Sequence, residues 1–352
     1  MMNYETFKEV IVARIKDFLP ESFKDSEVKI HHINKVNKQL ESMNIVLKDA
    51  PNLASPNIYL EDFYNNEFKK ENDIDIVLQK MAGMIVEYTL ELPNTMEFDF
   101  NNMTDQIVMQ AVNTERNKEL LDNCPHKDLM DLSVVYRFVV NRSENGVDTI
   151  LVTNEIFDNM HITKESLFEL AQKNTREIMP ASFMPMSRMI RGQQSFLNKD
   201  ELLEYADSIK GPMVCTTLQM IMGAALLFDP AIMETISEAF DNSFYIVPSS
   251  INELIVMPDD EYADPRFISE TIISTNNNHE LASPEEFLSS NLYYFDKEKK
   301  EIKLGYDNNC INQVHETSMV YGKTDFTSIR EAYFDMKAKE EGTVKKPQKS
   351  GR

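Results

Sequence analysis

Two serines, a histidine and a few carboxylates are the residues of this sequence whose types could do covalent chemistry. Ser249 and Ser250 stand just before Glu253, inside the stretch Phe244–Pro258. A serine nucleophile with an acid also needs a base to take the hydroxyl proton, normally histidine. Of the six histidines, His126 is the best acid–base candidate, because Asp128 and Asp131 follow it closely. A hydrolase would therefore have to bring His126 to Ser249, Ser250 and Glu253 in space. No Gly-x-Ser-x-Gly elbow surrounds either serine. The bland alternative is a proline-led turn, Pro248–Glu253, whose hydroxyls and carboxylate satisfy nearby backbone between two apolar runs. That reading is preferred. For His126 the matching preference is a turn histidine hydrogen-bonded to a carboxylate.

Other chemistries find less support. No two histidines stand at His-x-x-x-His spacing, and His31 and His32 point to opposite faces if they lie on a strand. The acidic run after Pro258 lacks the alternating oxygen ligands and central glycine of a calcium loop. Neither a P-loop nor a Gly-x-Gly-x-x-Gly pattern occurs, and the chain has only 9 glycines. The sequence therefore calls for no metal and no cofactor.

Charge narrows the partners. The net charge is −22, and the segment from Lys337 onward is +4, so the remainder is more acidic still. Such a body repels nucleic-acid phosphates and anionic lipid. The three cysteines, Cys124, Cys215 and Cys310, are odd in number and far apart, which suits a reducing compartment. The acidic N-terminus has no apolar signal region, and the run Met213–Phe228 is too short and too polar to span a bilayer. A soluble, acidic, cytoplasmic protein is expected.

The elements that must position these residues follow from periodicity. Apolar spacing predicts helices over residues 4–19, 73–92 and 164–174, the last capped by Thr163. Hairpins are expected from Val28–Val36 with Leu40–Leu47, from Leu132–Val140 with Thr149–Val152, and from Leu292–Phe295 with Glu301–Tyr306. Asp229-Pro230, Asp264-Pro265 and Ser283-Pro284 each place a capping residue before a proline, predicting three helix starts. Hairpins with helices between them give an α+β fold, with mixed, mainly antiparallel sheets and packed helices. The expected organisation is an N-terminal α+β region over 1–182, a C-terminal α+β region over 183–336, and a disordered basic tail over 337–352.

Several segments together resemble an uncharacterised bacterial protein family, known only as a domain of unknown function. They are Asn113–Asn117, Cys124-Pro125-His126, Asp131-Leu132, Thr153-Asn154, Ala171–Thr175, Gly223–Leu227 and Pro248–Glu253. The resemblance covers roughly residues 3–306. It implies one fold in a bacterial, cytoplasmic setting and carries no activity. Where this chain has Asn252, the family often has histidine, which weakens any role for a histidine at that position.

The favoured expectation is a non-enzymatic interaction protein that binds a protein or peptide partner, but neither nucleic acid nor membrane. The motivation is the absence of a catalytic constellation together with 21 methionines and many aromatic residues, although methionines more often fill gaps in a core than make an adaptable surface. The alternative is an enzyme of unrecognised type, a hydrolase using His126 with Ser249–Glu253. The binding candidates are His126, Asp131, Ser249, Ser250 and Glu253.

Overall fold

Two compact units, Met1–Asp99 and Phe100–Arg352, make up the computed structural model. The structure describes residues 2–48, 57–91, 100–143, 146–190, 195–209, 211–278 and 281–306. Cys310 and the basic tail lie outside these residues. The expected division after residue 182 falls inside the second unit. Strand β8 (Ala181–Pro185) pairs with β9 (Met213–Thr217), so the two sides of that point share a sheet.

In the first unit, helix Tyr4–Arg14 starts at Asn3, whose side chain accepts from the Thr6 amide. Hairpin β1 (Glu27–Lys35) and β2 (Lys38–Val46) follows, and the two-residue β3 (Ile58–Tyr59) adds to β2. Its turn is Val36-Asn37, one residue earlier than the sequence suggests, because Asn37 takes the left-handed conformation that a tight hairpin requires. Phe7, Ile11, Met43, Ile45 and the buried face of helix Ile74–Glu91 share one core.

The second unit holds two sheets. In the first, β6 (Leu132–Ser143) lies between β4 (Ile107–Asn113) on one side and β5 (His126–Leu129) with β7 (Gly146–Leu151) on the other. The second runs β13-β12-β10-β11-β9-β8, with β10 Phe244–Ser250, β11 Glu253–Pro258, β12 Tyr293–Asp296 and β13 Glu301–Leu304. The fold is α+β, and every described strand pairing is antiparallel.

Alternation along the strands sorts the layers. Met109, Val134 and Tyr136 of the first sheet share a core with Phe244, Ile246, Leu254 and Val256 of the second. Tyr245, Val247, Ile255 and Met257 point the other way, onto Ile268 and Ile272 of helix Pro265–Asn276. Burying each isoleucine contributes roughly 1.5–3 kcal/mol, which is what docks this helix.

Two of the three proline-led helix starts form. Asp229 caps Pro230–Phe240, and Asp264 caps Pro265–Asn276. Ser283-Pro284 instead opens an irregular segment, where the Ser283 hydroxyl accepts from the Glu285 amide at 3.3 Å. The backbone that a helix would need is committed elsewhere: the Glu286 carbonyl accepts from Ile251 N at 2.9 Å. His126, expected in a turn, lies on β5 opposite Val135.

Asp229 is buried and both its oxygens accept from Arg176, at 2.5 and 2.6 Å, while it also caps Ala231 at 3.0 Å. The Arg176 side chain is 42 % exposed, so it can rehydrate if its partner is lost. We therefore expect Asp229→Ala to cost about 1–3 kcal/mol, the loss of a cap plus a partly solvated ion pair, read from urea denaturation midpoints.

Candidate functional site

The hairpin joining β10 to β11 is the centre of the candidate site. Pro248 has no amide hydrogen to give a ladder, yet β10 is an interior strand. It is tolerated because β12 pairs only with Phe244–Ile246, and because the β10–β11 register shifts between Val247 and Ser250. Pro248, Ser249, Ser250 and Glu253 thus belong to strands, and the turn itself is only Ile251-Asn252.

Several polar groups at this tip have defined partners. The Ser249 hydroxyl donates to Glu253 Oε1 at 3.2 Å, and both residues are buried. The Ser250 hydroxyl accepts from Asn252 N at 3.0 Å. The Asn252 carbonyl accepts from Gly223 N at 3.0 Å and from the Thr216 hydroxyl at 2.7 Å. Its side chain accepts from Met222 N at 3.1 Å and donates to Glu286 Oε1 at 3.0 Å. Met222 is held at φ 56°, where a residue with a Cβ costs about 1–2 kcal/mol, so the Asn252 bond helps to keep a strained turn in place.

Asp131 anchors a second polar cluster. It accepts from the Ser289 hydroxyl at 2.7 Å and from the Tyr293 hydroxyl, and its carbonyl accepts from Thr114 N at 2.9 Å. Asn113 donates to the Leu288 carbonyl at 3.0 Å, and the Arg116 guanidinium lies over the Phe287 ring at 3.6 Å. Burial, with the Asp131 carboxylate next in importance, pushes the Tyr293 phenol well above its ordinary value of 10.0. The segment 284–293 therefore straps the loop after β4 and the β5–β6 turn to the β10–β11 tip.

His126 belongs to neither cluster. Its Nδ1 donates to the Cys124 carbonyl at 3.0 Å, and Nε2 stands 3.9 Å from Asp128. It makes no hydrogen bond to Ser249, Ser250 or Glu253. Of the sequence candidates, the structure joins Ser249 with Glu253 directly and ties Asp131 to the same strap. Ser249 has a carboxylate neighbour, and among the described residues no imidazole is hydrogen-bonded to it. Among the described residues, no group of three or more His, Cys, Asp or Glu side chains is placed to hold a metal ion.

Sequence reasoning missed Glu286, Ser289 and Tyr293, since nothing local marks them as partners of residues far away in the chain. Gly223 did carry a signal, as one of few glycines and in an apolar run. A narrow crevice of about 30 Å³ opens beside Ser249, between Val247 and Ile255 on the hairpin and Ile268, Thr271, Ile272, Thr275 and Asn276 on the helix.

Parts of the segments that suggested a relationship in the sequence, Asn113, Arg116, Asp131, Ile251 and Asn252, thus meet along one strap, and Gly223 in turn meets Asn252. The chain belongs to a family of unknown function, DUF5688, whose model matches residues 4–297. No curated protein and no solved structure matches it.

Two outcomes test this geometry. A Cβ at Gly223 would lie 2.3 Å from the Asn252 carbonyl oxygen and 2.6 Å from Thr216 Cα, both backbone atoms. Gly223→Ala is therefore expected to cost about 2–4 kcal/mol in chemical denaturation. Tyr293 in turn sets an alkaline limit. A phenol whose folded pKa lies above its unfolded value contributes stability that is complete below pH 10.0 and is lost as pH rises through the folded value. Urea midpoints should be level from neutral pH up to about pH 9 and fall above pH 10, with a shallower fall in Tyr293→Phe.

Proposed function

We propose that this protein is a non-catalytic binding module of a bacterial cytoplasm, and that the crevice beside Ser249 receives a small apolar group, of about methyl size, from a protein or peptide partner. The observation that carries this reading is the composition of the cleft. Its walls are Val247, Ile255, Ile268 and Ile272, and its polar groups are few and gathered at Ser249, Thr271, Thr275 and Asn276. An apolar slot with a few convergent polar groups suits recognition. Ser249 supports the same reading, because its hydroxyl is committed to a carboxylate rather than to an imidazole. Cys124 and Cys215 are free and buried, as a reducing compartment allows, and burial pushes the Cys124 thiol up to about 11. The charge of −22 works against nucleic acid or anionic lipid as the partner.

The test is a photo-crosslinking residue at Thr271, with Glu298 on the β12–β13 turn as control. A discrete partner should be captured from the native cell at Thr271 only, and Thr275→Arg, which fills the cleft, should abolish capture without lowering the melting temperature. Equal capture at both positions would overturn the cleft as the site. Labelling by a serine-hydrolase probe that disappears in Ser249→Ala would favour the enzyme instead.

A further inference from the structure

The outer edge of β1 carries a second interaction surface, in the first unit. β1 pairs with β2 over nine residues without a bulge, and no other described strand pairs with it. Lys35 and Lys38 close the tight Val36-Asn37 turn, so the odd-numbered residues of β1 exchange hydrogen bonds with β2. The amides and carbonyls of Val28, Ile30, His32 and Asn34 consequently point outward. Ile30 is 39 % exposed at this edge, beside an open groove under Glu9, Val12 and Ala13 of the first helix. A long, regular, open edge is a template for another strand, and β1 has neither the proline nor the bulge that blunts such edges.

We propose that the occupant is a second copy of this chain, pairing antiparallel along β1 about a two-fold axis at His31. The charge pattern selects both the partner and the register. With His31 opposite itself, Glu27 faces Lys35 of the second copy, and the symmetry repeats that pair at the other end of the strand. Sliding by two residues one way sets Lys29 against Lys35. Sliding the other way sets Glu27 against Ile33 and carries Lys35 past the end of the strand. A slide by one residue would exchange the two faces of the strand. The lysines that would otherwise blunt the edge are thus offset in one arrangement only. In the single chain Glu27 is 3.2 Å from Lys29 and Lys35 lies over the Tyr59 ring, and the Glu27–Lys29 pair is well exposed and free to rearrange.

Even-numbered β1 residues share a face with Met43 and Ile45, so pairing brings His32 of the second copy over Ile30 and covers the exposed isoleucine. The three-stranded sheet becomes continuous across the axis.

Sedimentation of the full chain over a wide concentration series tests this directly. The wild type should form a dimer. Glu27→Lys and Lys35→Glu should each weaken it about tenfold, because both symmetry-related pairs turn repulsive, and the double exchange should restore it. His31→Cys should form an intermolecular disulfide under mild oxidation, since facing residues of a non-hydrogen-bonded pair lie within disulfide reach, whereas Lys29→Cys should not. A chain that stays monomeric throughout overturns the proposal. So does a dimer indifferent to both single exchanges, or one that the double exchange fails to restore.

Discussion

The close approach of the Gly223 backbone to the Asn252 carbonyl is the constraint on which the second unit's architecture turns. Three donors, Gly223 N, Thr216 Oγ1 and Met222 N, are gathered around one two-residue turn. A side chain at residue 223 would separate the β9 end from the β10–β11 tip, and the left-handed Met222 would lose its acceptor. Backbone polar groups at a buried hairpin tip have no water to turn to, so they must be satisfied by neighbours brought from far along the chain. Residues 216, 223, 252 and 286 are that set.

The strap 284–293 extends the same logic. Before β12 begins at Tyr293 it has no regular structure, and its carbonyls, hydroxyls and the Glu286 carboxylate are spent on Asn113, Asp131, Ile251 and Asn252. An irregular segment can be held against two sheets only if its backbone partners are supplied point by point. That is why Ser283-Pro284, a good local helix start, does not begin one. Tertiary hydrogen bonds to Glu286 outweigh a capping preference worth about 1 kcal/mol.

The proposed function rests on how these groups are committed. Ser249 and Glu253 make a buried polar pair with an apolar cleft alongside, and His126 is engaged with Cys124 and Asp128 on a different sheet. In the binding role we propose, a hydroxyl facing a carboxylate would give direction to the crevice. The edge of β1 offers something different, a row of backbone groups with no strand partner among the described residues, and in the proposed dimer the spacing of Glu27 and Lys35 sets the register.

Local physics made much of this chain legible from its residues. The helices at Tyr4, Ile74 and Lys164, the caps Thr163, Asp229 and Asp264, the three hairpins and the α+β class all rest on periodicities and capping bonds that span a few residues. The candidates Ser249, Ser250, Glu253 and Asp131 were also visible, since polar residues between apolar strands stand out. What sequence could not decide was which distant residues meet. That Asp131 binds Ser289 and Tyr293, that Asn252 grips Met222 and Glu286, that His126 stays away from Ser249, and that the first compact unit closes at residue 99 all depend on long-range packing. Such pairings are set by the shape of a shared core and by the need to satisfy buried polar groups, and neither leaves a periodic mark on the sequence.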